Sequence, residues 1–319
     1  MASPTVSLCI PVYAPAQRHL ERLLASIAAQ HHDALEVVLT DDSATPDLDV
    51  IVERSGLDAV TVVRNPERLG MVANWNEAGR RATGELMMVL GQDDELGAGL
   101  VDSYLAAFAD VGDAVACSSG EVWIDDDDNE VAVPRRPNRR ERIFVAQRRY
   151  VLDQDTLVRL CLRNGQVYGE PSAVMFRRDA FTAVGGYRAE MGHVADLDLA
   201  LRLAGEGPVL YLAEPLVRRR LHGAMATAAQ QASGETADAR ERLHRAWIDH
   251  PGLTDRDRTR ARAALVSWAA RDVVKAVRHR RWKVARAQAE VVRGHGRVAP
   301  SALAENVVEL VTGRNRDAR

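Results

Sequence analysis

The chain has 319 residues, 46% hydrophobic and 27% charged, enough to bury a sizeable core as one large domain or two smaller ones and unlike a disordered chain or a fibrous repeat. Its net charge of −3 conceals an asymmetry: residues 255–319 carry 16 Lys+Arg against 7 Asp+Glu, a net +9, which leaves −12 on residues 1–254. The longest apolar stretches, 263–265 and 268–270, fall far short of the roughly 20 residues that cross a bilayer, so no membrane-spanning helix is expected.

The first residues lack a basic segment and a small-residue cleavage site, and a cytoplasmic start is expected. Cys9, Cys117 and Cys161 are far apart, which suits buried thiols in a reducing compartment better than a disulfide framework or a CxxC site. Residues 6–12 are an apolar run of β-formers, and Leu20, Leu23, Leu24 and Ile27 follow at helical spacing. The alternation continues with strand 36–40, helix 48–52, strand 60–63, helix 72–82 and strand 85–90. It predicts an α/β domain of nucleotide-binding type, a parallel sheet covered by helices on both faces.

Ligands of such sheets sit beyond the carboxyl ends of the strands. Asp41-Asp42-Ser43 stands after the second strand and Gly91-Gln92-Asp93-Asp94 after the fourth. Pro11 to Ala14 replace a GxGxxG after the first, and no GxxxxGK[ST] occurs, which argues against a dinucleotide fold or a P-loop. Adjacent carboxylates suit a hard divalent cation, Mg²⁺ or Mn²⁺, that shares its coordination with substrate phosphates. A solvated turn is the alternative, but the place of Asp93-Asp94 after a buried strand, matching Asp41-Asp42, favours a site.

Further along, a helix is expected through Leu100, Tyr104 and Phe108, strands at 114–117 and 122–124, and a polar turn at 125–129. Residues 135–149 hold seven Arg and one Glu and read as an exposed loop or flap, solvated or gripping phosphates. Only Phe144 and Tyr150 lie near it as stacking aromatics, so nucleic acid is not an expected partner. A strand is expected at 172–178 and a turn at Gly185-Gly186. Residues 196–203 alternate like a strand, but their Ala and Leu favour a helix. Residues beyond 233 lack strand signals, which divides the chain into an α/β part, 1–234, and a helical extension, 235–319.

The ordered series Pro11-Val12-Tyr13, the Glu36 to Ser43 segment ending in Asp-Asp-Ser, Asn65 with Leu69-Gly70, Asn74-Trp75-Asn76, Thr83-Gly84-Glu85, Leu90 to Asp94, Phe176-Arg177-Arg178, Gly185-Gly186-Tyr187 and Ala195-Asp196-Leu197-Asp198 resembles family 2 glycosyltransferases of the GT-A fold over about residues 5–222. The resemblance implies a GT-A nucleotide-binding fold with a mostly parallel central sheet and a C-terminal helical extension. It implies that Pro11, Val12 and Tyr13 line the nucleotide pocket, that Asp42 bonds the base or ribose, and that Asn76 belongs to the nucleotide-sugar set. Asp94 would hold the Mn²⁺ or Mg²⁺ that bridges the diphosphate, with Asp93 beside it at the ribose or metal. Asp196 falls at the family's catalytic base, and His222 is either a further metal ligand or an ordinary surface or core histidine.

The activity so implied is metal-dependent, inverting transfer of a sugar from a nucleoside diphosphate donor, UDP by default, to a hydroxyl acceptor: a glycan, a lipid-linked saccharide or a natural product. A metal neutralises the leaving diphosphate and a carboxylate takes the acceptor's proton. A retaining route would need a carboxylate nucleophile, for which no second candidate is as well placed. A sugar nucleotidyltransferase should show a Gly-rich loop and an Arg/Lys pair near its start, neither of which is present; a non-catalytic binding protein would not need to keep Asp42, Asp93, Asp94 and Asp196.

Asp196 also reads as a helix N-cap, whose dipole would lower its pKa, and Asp198 is the fallback base. The sequence departs from the family pattern at Gly91, where many relatives have a further Asp, at Trp75, where many have Arg, and at Ala195, where an acidic residue is frequent. In the basic tail Val266, Trp268, Val273, Val274, Val277 and Trp282 recur at partly helical spacing. Such helices either pack on the acidic part or on a second copy, as in a homo-oligomer, or lie on anionic lipid as a peripheral membrane contact.

Overall fold

A computed structural model describes residues 4–131, 143–144, 146–168, 170–221 and 235–295. Strand β1 (Val6–Val12) is buried on both sides: Val6, Leu8, Ile10 and Val12 enter one core and Cys9 the other, as a central strand between two helical layers requires. Strands β2 (Leu35–Asp41), β3 (Val60–Arg64) and β4 (Leu86–Val89) run parallel to it in the order β3-β2-β1-β4. Helices α1 (Gln17–Ala28), α2 (Leu48–Arg54) and α3 (Met71–Arg81) connect them. Every element expected between residues 6 and 90 is present.

Beyond β4 the sheet is mixed. Strands β5 (Glu95–Leu96), β6 (Ala116–Ile124), β7 (Arg149–Leu152), β8 (Val174–Arg177) and β9 (Val209–Arg220) complete nine strands, with β8 antiparallel to both β4 and β6, and β6 parallel to β9. The two strands expected at 114–117 and 122–124 are one strand, β6, whose register to β9 shifts on either side of Gly120. A Cβ at Gly120 would stand 3.1 Å from the Glu214 carbonyl oxygen, and Pro215 lies opposite, so the bulge accommodates a proline inside a strand. Arg149, expected at the end of an exposed loop, instead starts β7, whose residues 149–152 pair with β9. Of the arginine run, residues 135–142 and 145 lie outside the described residues.

Helices α1, α2 and α4 (Leu100–Asp110) cover one face of the sheet. The other lies under α3, α5 (Gln154–Asn164), α6 (Arg178–Ala183) and α7 (Ala195–Leu203). The C-terminal helices are α8 (Glu235–Trp247), α9 (Asp255–Arg278) and α10 (Trp282–His295). Leu243, Trp247, Leu253 and Ala261 join the second core, so the extension packs on the α/β unit, and Leu265, Ala269 and Val291 form a small core between α9 and α10. Among the described residues no helix is long and apolar enough to cross a membrane.

Helix α7 carries a strand-like alternation because every residue from Leu197 to Leu203 is buried, so no solvent face marks the helical period. Asp198 is fully buried there. It accepts hydrogen bonds from Arg202 Nε (2.8 Å) and Trp247 Nε1 (3.0 Å), and Arg202 also donates to the carbonyls of Val184 and Gly186. This ties α7 to α8 and to the Gly185-Gly186 turn. It also removes Asp198 as a fallback base, because both its oxygens are engaged and a residue two positions from Asp196 faces the other side of a helix. Asp198→Ala leaves Arg202 buried without its carboxylate, and we expect it to lower unfolding stability by about 3–5 kcal/mol in urea titration. A loss below about 1 kcal/mol would mean that the pair is dispensable.

Candidate active site

The loops after the parallel strands are held to one another by side chains. Gln92 accepts the Tyr13 N–H (2.8 Å) and donates to the Tyr13 carbonyl (3.0 Å), which locks the ends of β1 and β4 together. The Tyr13 ring is exposed and carries the Arg68 guanidinium 4.3 Å from its centroid. Val12 is buried in β1, paired with Asp41, and its carbonyl accepts the Asp42 N–H (2.9 Å); Pro11 pairs with Thr40. Of these three expected lining residues, Tyr13 is the exposed one, and Val12 acts through its backbone.

Asp41 is fully buried. Burial alone would raise its carboxyl, but the N–H groups of Ser43 and Thr45 and their hydroxyls hold it below the ordinary value. Asp42 accepts from Asn65 Nδ2 (3.1 Å) and from the N–H groups of Leu69 (2.6 Å) and Gly70 (2.8 Å). It therefore fixes the loop that enters α3, where Gly70 has φ of +85°. Asn76 donates to the Tyr187 carbonyl and accepts its N–H, both at 2.8 Å. That clamp needs Gly186, whose Cβ would stand 2.7 Å from Asn76 Oδ1. Trp75 packs edge-on against Tyr187 at 5.1 Å. Asn76 and Trp75 thus set the turn that precedes α7.

The acidic turn after β4 rests on Arg220, which is wholly buried. Its guanidinium donates to the carbonyls of Asp93 (3.0 Å) and Asp125 (2.6 Å) and to Glu95 Oε1 (2.6 Å), and its backbone N–H donates to Asp94 Oδ1 (3.1 Å). Ser172 donates its hydroxyl to the other Asp94 oxygen and accepts the Gly91 N–H (2.8 Å). Burial first, and the neighbouring Asp93 second, push the Asp94 carboxyl up to about 7 against the pull of Arg219.

The point that a Cβ on Gly91 would occupy lies 2.8 Å from Asp94 Oδ2, 3.1 Å from Asp93 Oδ1 and 3.2 Å from Ser172 Oγ. This convergence gives a reason for glycine at this position, since a side chain there would push on Asp94. Three oxygens, two of them carboxylate, are a hard donor set. Among the described residues no three His, Cys, Asp or Glu side chains gather, so the protein offers a carboxylate pair. Such a pair fits a Mg²⁺ or Mn²⁺ that takes further ligands from substrate phosphates. His222 lies outside the described residues.

Asp196 stands in the first turn of α7 behind the N-cap position, which Val194 fills without a side-chain bond. The expectation of an N-cap with a lowered pKa is thus corrected. Desolvation first and the Glu170 carboxylate second push Asp196 up to about 7, outweighing the first-turn N–H groups and Arg219. Gln166 donates to its Oδ2 at 2.9 Å.

Arg219 joins the two acidic parts of the site. It lies 3.2 Å from Glu170 and 3.7 Å from Glu121, stands 4.6 Å over the Trp123 ring, and interacts electrostatically with both Asp94 and Asp196. Its burial disfavours the cation, but these four carboxylates hold it firmly charged. The structure therefore brings Asp94, with Asp93 beside it, and Asp196 around one cation and adds Arg219, Glu170, Glu121, Trp123 and Gln166, none of which sequence reasoning selected. The one available signal was the Arg218-Arg219-Arg220 run. In a strand its alternation sends Arg219 to the face opposite Arg218 and Arg220, which bind Glu95.

Residues 7–185 match the family model "Glycosyl transferase family 2". The chain is 29% identical over 244 residues to an uncharacterized protein, MT1568, of Mycobacterium tuberculosis, covering 76% of this chain and 75% of that protein. Among solved structures it resembles the 1–349 segment of S. aureus TarS in complex with UDP-GlcNAc, with a TM-score of 0.63, 14% identity, and 98% of this chain and 93% of that one covered. The same segment in complex with UDP gives a TM-score of 0.61 at 16% identity, with 98% and 93% covered. Against S. aureus TarS in a longer form, the chain spans 43% of that protein's length and 82% of its own, with a TM-score of 0.58 and 17% identity.

Proposed function

The chain belongs to glycosyl transferase family 2, with its GT-A fold, and from that premise we propose that it transfers a sugar from a nucleoside diphosphate donor to a hydroxyl acceptor with inversion at the anomeric carbon. The observation that carries this reading is the largely buried Arg219, whose charge acts on both Asp94 and Asp196 and so makes one site of them. The exposed Tyr13 ring with Arg68 stacked on it suits the base, and the loop held by Asp42 suits the ribose. UDP is the donor carrier of choice, supported by the fold shared with the TarS complexes of UDP-GlcNAc and UDP.

Asp93 and Asp94 would hold a Mg²⁺ or Mn²⁺, which when bound supplies positive charge against the diphosphate that departs. Arg219 adds a fixed cation in a largely dehydrated setting, where such charges act strongly. Asp196 takes the proton of the acceptor hydroxyl on a carboxylate oxygen as that hydroxyl forms its bond to the anomeric carbon. The bond to the diphosphate breaks and its electron pair leaves with the nucleotide. One displacement inverts the configuration. A base with a pKa near 7 is well matched to this duty at neutral pH. The acceptor is a glycan, a lipid-linked saccharide or a natural product, and a reducing, cytoplasmic setting suits the free, buried Cys9, Cys117 and Cys161.

A panel of nucleoside diphosphate sugars incubated with the protein and Mn²⁺ tests the reading. Release of the nucleoside diphosphate from one donor is expected. Exchange of pyrophosphate into a nucleoside triphosphate would instead point to a nucleotidyltransferase and overturn it.

A further inference from the structure

The end of α9 and the turn into α10 differ from the rest of the surface. Between Asp272 and Glu290 the sequence has six basic residues and no acidic one. Lys275, Arg278, Arg280, Arg281 and Lys283 are exposed, and among the described residues none has an ion-pair partner; the sixth, Arg286, reaches Glu290 at 3.4 Å. Among these cations stand exposed apolar side chains: Val274 at 69%, Val277 at 43% and Trp282 at 64%. Val274, Lys275, Val277 and Arg278 fall within about 160° of arc on α9 at the helical 100° per residue. Trp282 follows across the turn as the first residue of α10. In water this arrangement has nothing to recommend it, since the cations repel and the apolar groups are wet. At an anionic interface both costs become gains: tryptophan favours the headgroup level and the surface potential attracts each cation.

The turn itself supplies an independent observation. Arg281 N–H donates to the Ala276 carbonyl (2.8 Å) and Arg280 N–H to the Val277 carbonyl (3.0 Å), the Schellman pattern of helix termination. Its left-handed position, with φ of +55°, is Arg280, where glycine relieves the strain that a Cβ imposes. The chain sacrifices local stability there and sets a cation at the tip of the corner.

We infer that this corner docks the protein on an anionic lipid surface, with Trp282, Val274 and Val277 entering the headgroup region and the five cations facing the phosphates. Charge complementarity selects this pole: residues 1–254 carry −12 and are repelled by the same surface. The inference stands independently of the transferase reading.

The test is co-sedimentation of the full chain with vesicles of phosphatidylcholine containing phosphatidylglycerol, and of phosphatidylcholine alone. Binding is expected to the anionic vesicles only, and to be lost at high salt. Arg280→Gly should raise the thermal midpoint, because the left-handed turn is relieved, and yet weaken vesicle binding about fivefold, the weight of one near-surface cation. Trp282→Ala should weaken binding at least as much with an unchanged thermal midpoint. The inference fails if the native chain does not sediment with anionic vesicles at low salt, or if both variants bind as the native chain does. It fails equally if sedimentation equilibrium without lipid shows a dimer that Trp282→Ala dissolves, since the corner would then be an interface between copies.

Discussion

Asp196→Asn is expected to lower sugar transfer by about 10²–10⁴-fold while donor binding stays near native, because asparagine keeps the shape and the Gln166 contact but cannot take the acceptor's proton. The native enzyme carries a second signature of the same residue. The proposed base must work as a carboxylate and its pKa is pushed up to about 7, so kcat/KM is expected to be full well above pH 7 and to fall as the pH drops through that value. The groups that face it are Glu170, which raises its pKa, and Arg219 with the first-turn N–H groups, which lower it. Glu170→Gln removes the raising charge and frees Arg219 from its 3.2 Å partner, and both changes move the acidic limb to lower pH. A near-native rate in Asp196→Asn, or a limb that stays in place in Glu170→Gln, would remove Asp196 from the role of base.

The second large effect belongs to Asp94. Asp94→Asn keeps an acceptor for either Ser172 or the Arg220 N–H but removes the charge that a divalent cation needs, and transfer should fall by about 10³-fold or more. Gly91→Ala should act in the same direction and less severely, since its Cβ would press on Asp94 Oδ2 from 2.8 Å. Native activity that is unchanged by EDTA would contradict the assignment of Asp93 and Asp94 to a cation.

The half of the fold that alternates strand and helix in short, regular steps was legible because each element there has a clear apolar period, as in Leu20, Leu23, Leu24 and Ile27 of α1. Strand β9 was not. Its Ala213-Glu214-Pro215 segment looks like a break, and only the bulge opposite Gly120 lets the strand continue through it. The Asp93-Asp94 pair stood out because adjacent carboxylates at the end of a buried strand repel one another in a poorly solvated place unless a cation joins them. Arg219 did not, because three consecutive arginines look like solvated surface until the strand's alternation separates them. The raised pKa of Asp196 is hidden for a related reason: the helix terminus is local and visible in sequence, whereas the burial that raises it first, and Glu170 second, arise only through the fold.

The measurement closest to the central claim needs no knowledge of the acceptor: calorimetric titration of UDP into the native chain in Mn²⁺. Saturable one-to-one binding is predicted, weakened by EDTA and by Asp94→Asn and retained by Asp196→Asn. Absence of saturable binding by UDP, and by every other nucleoside diphosphate tried in its place, would contradict the account.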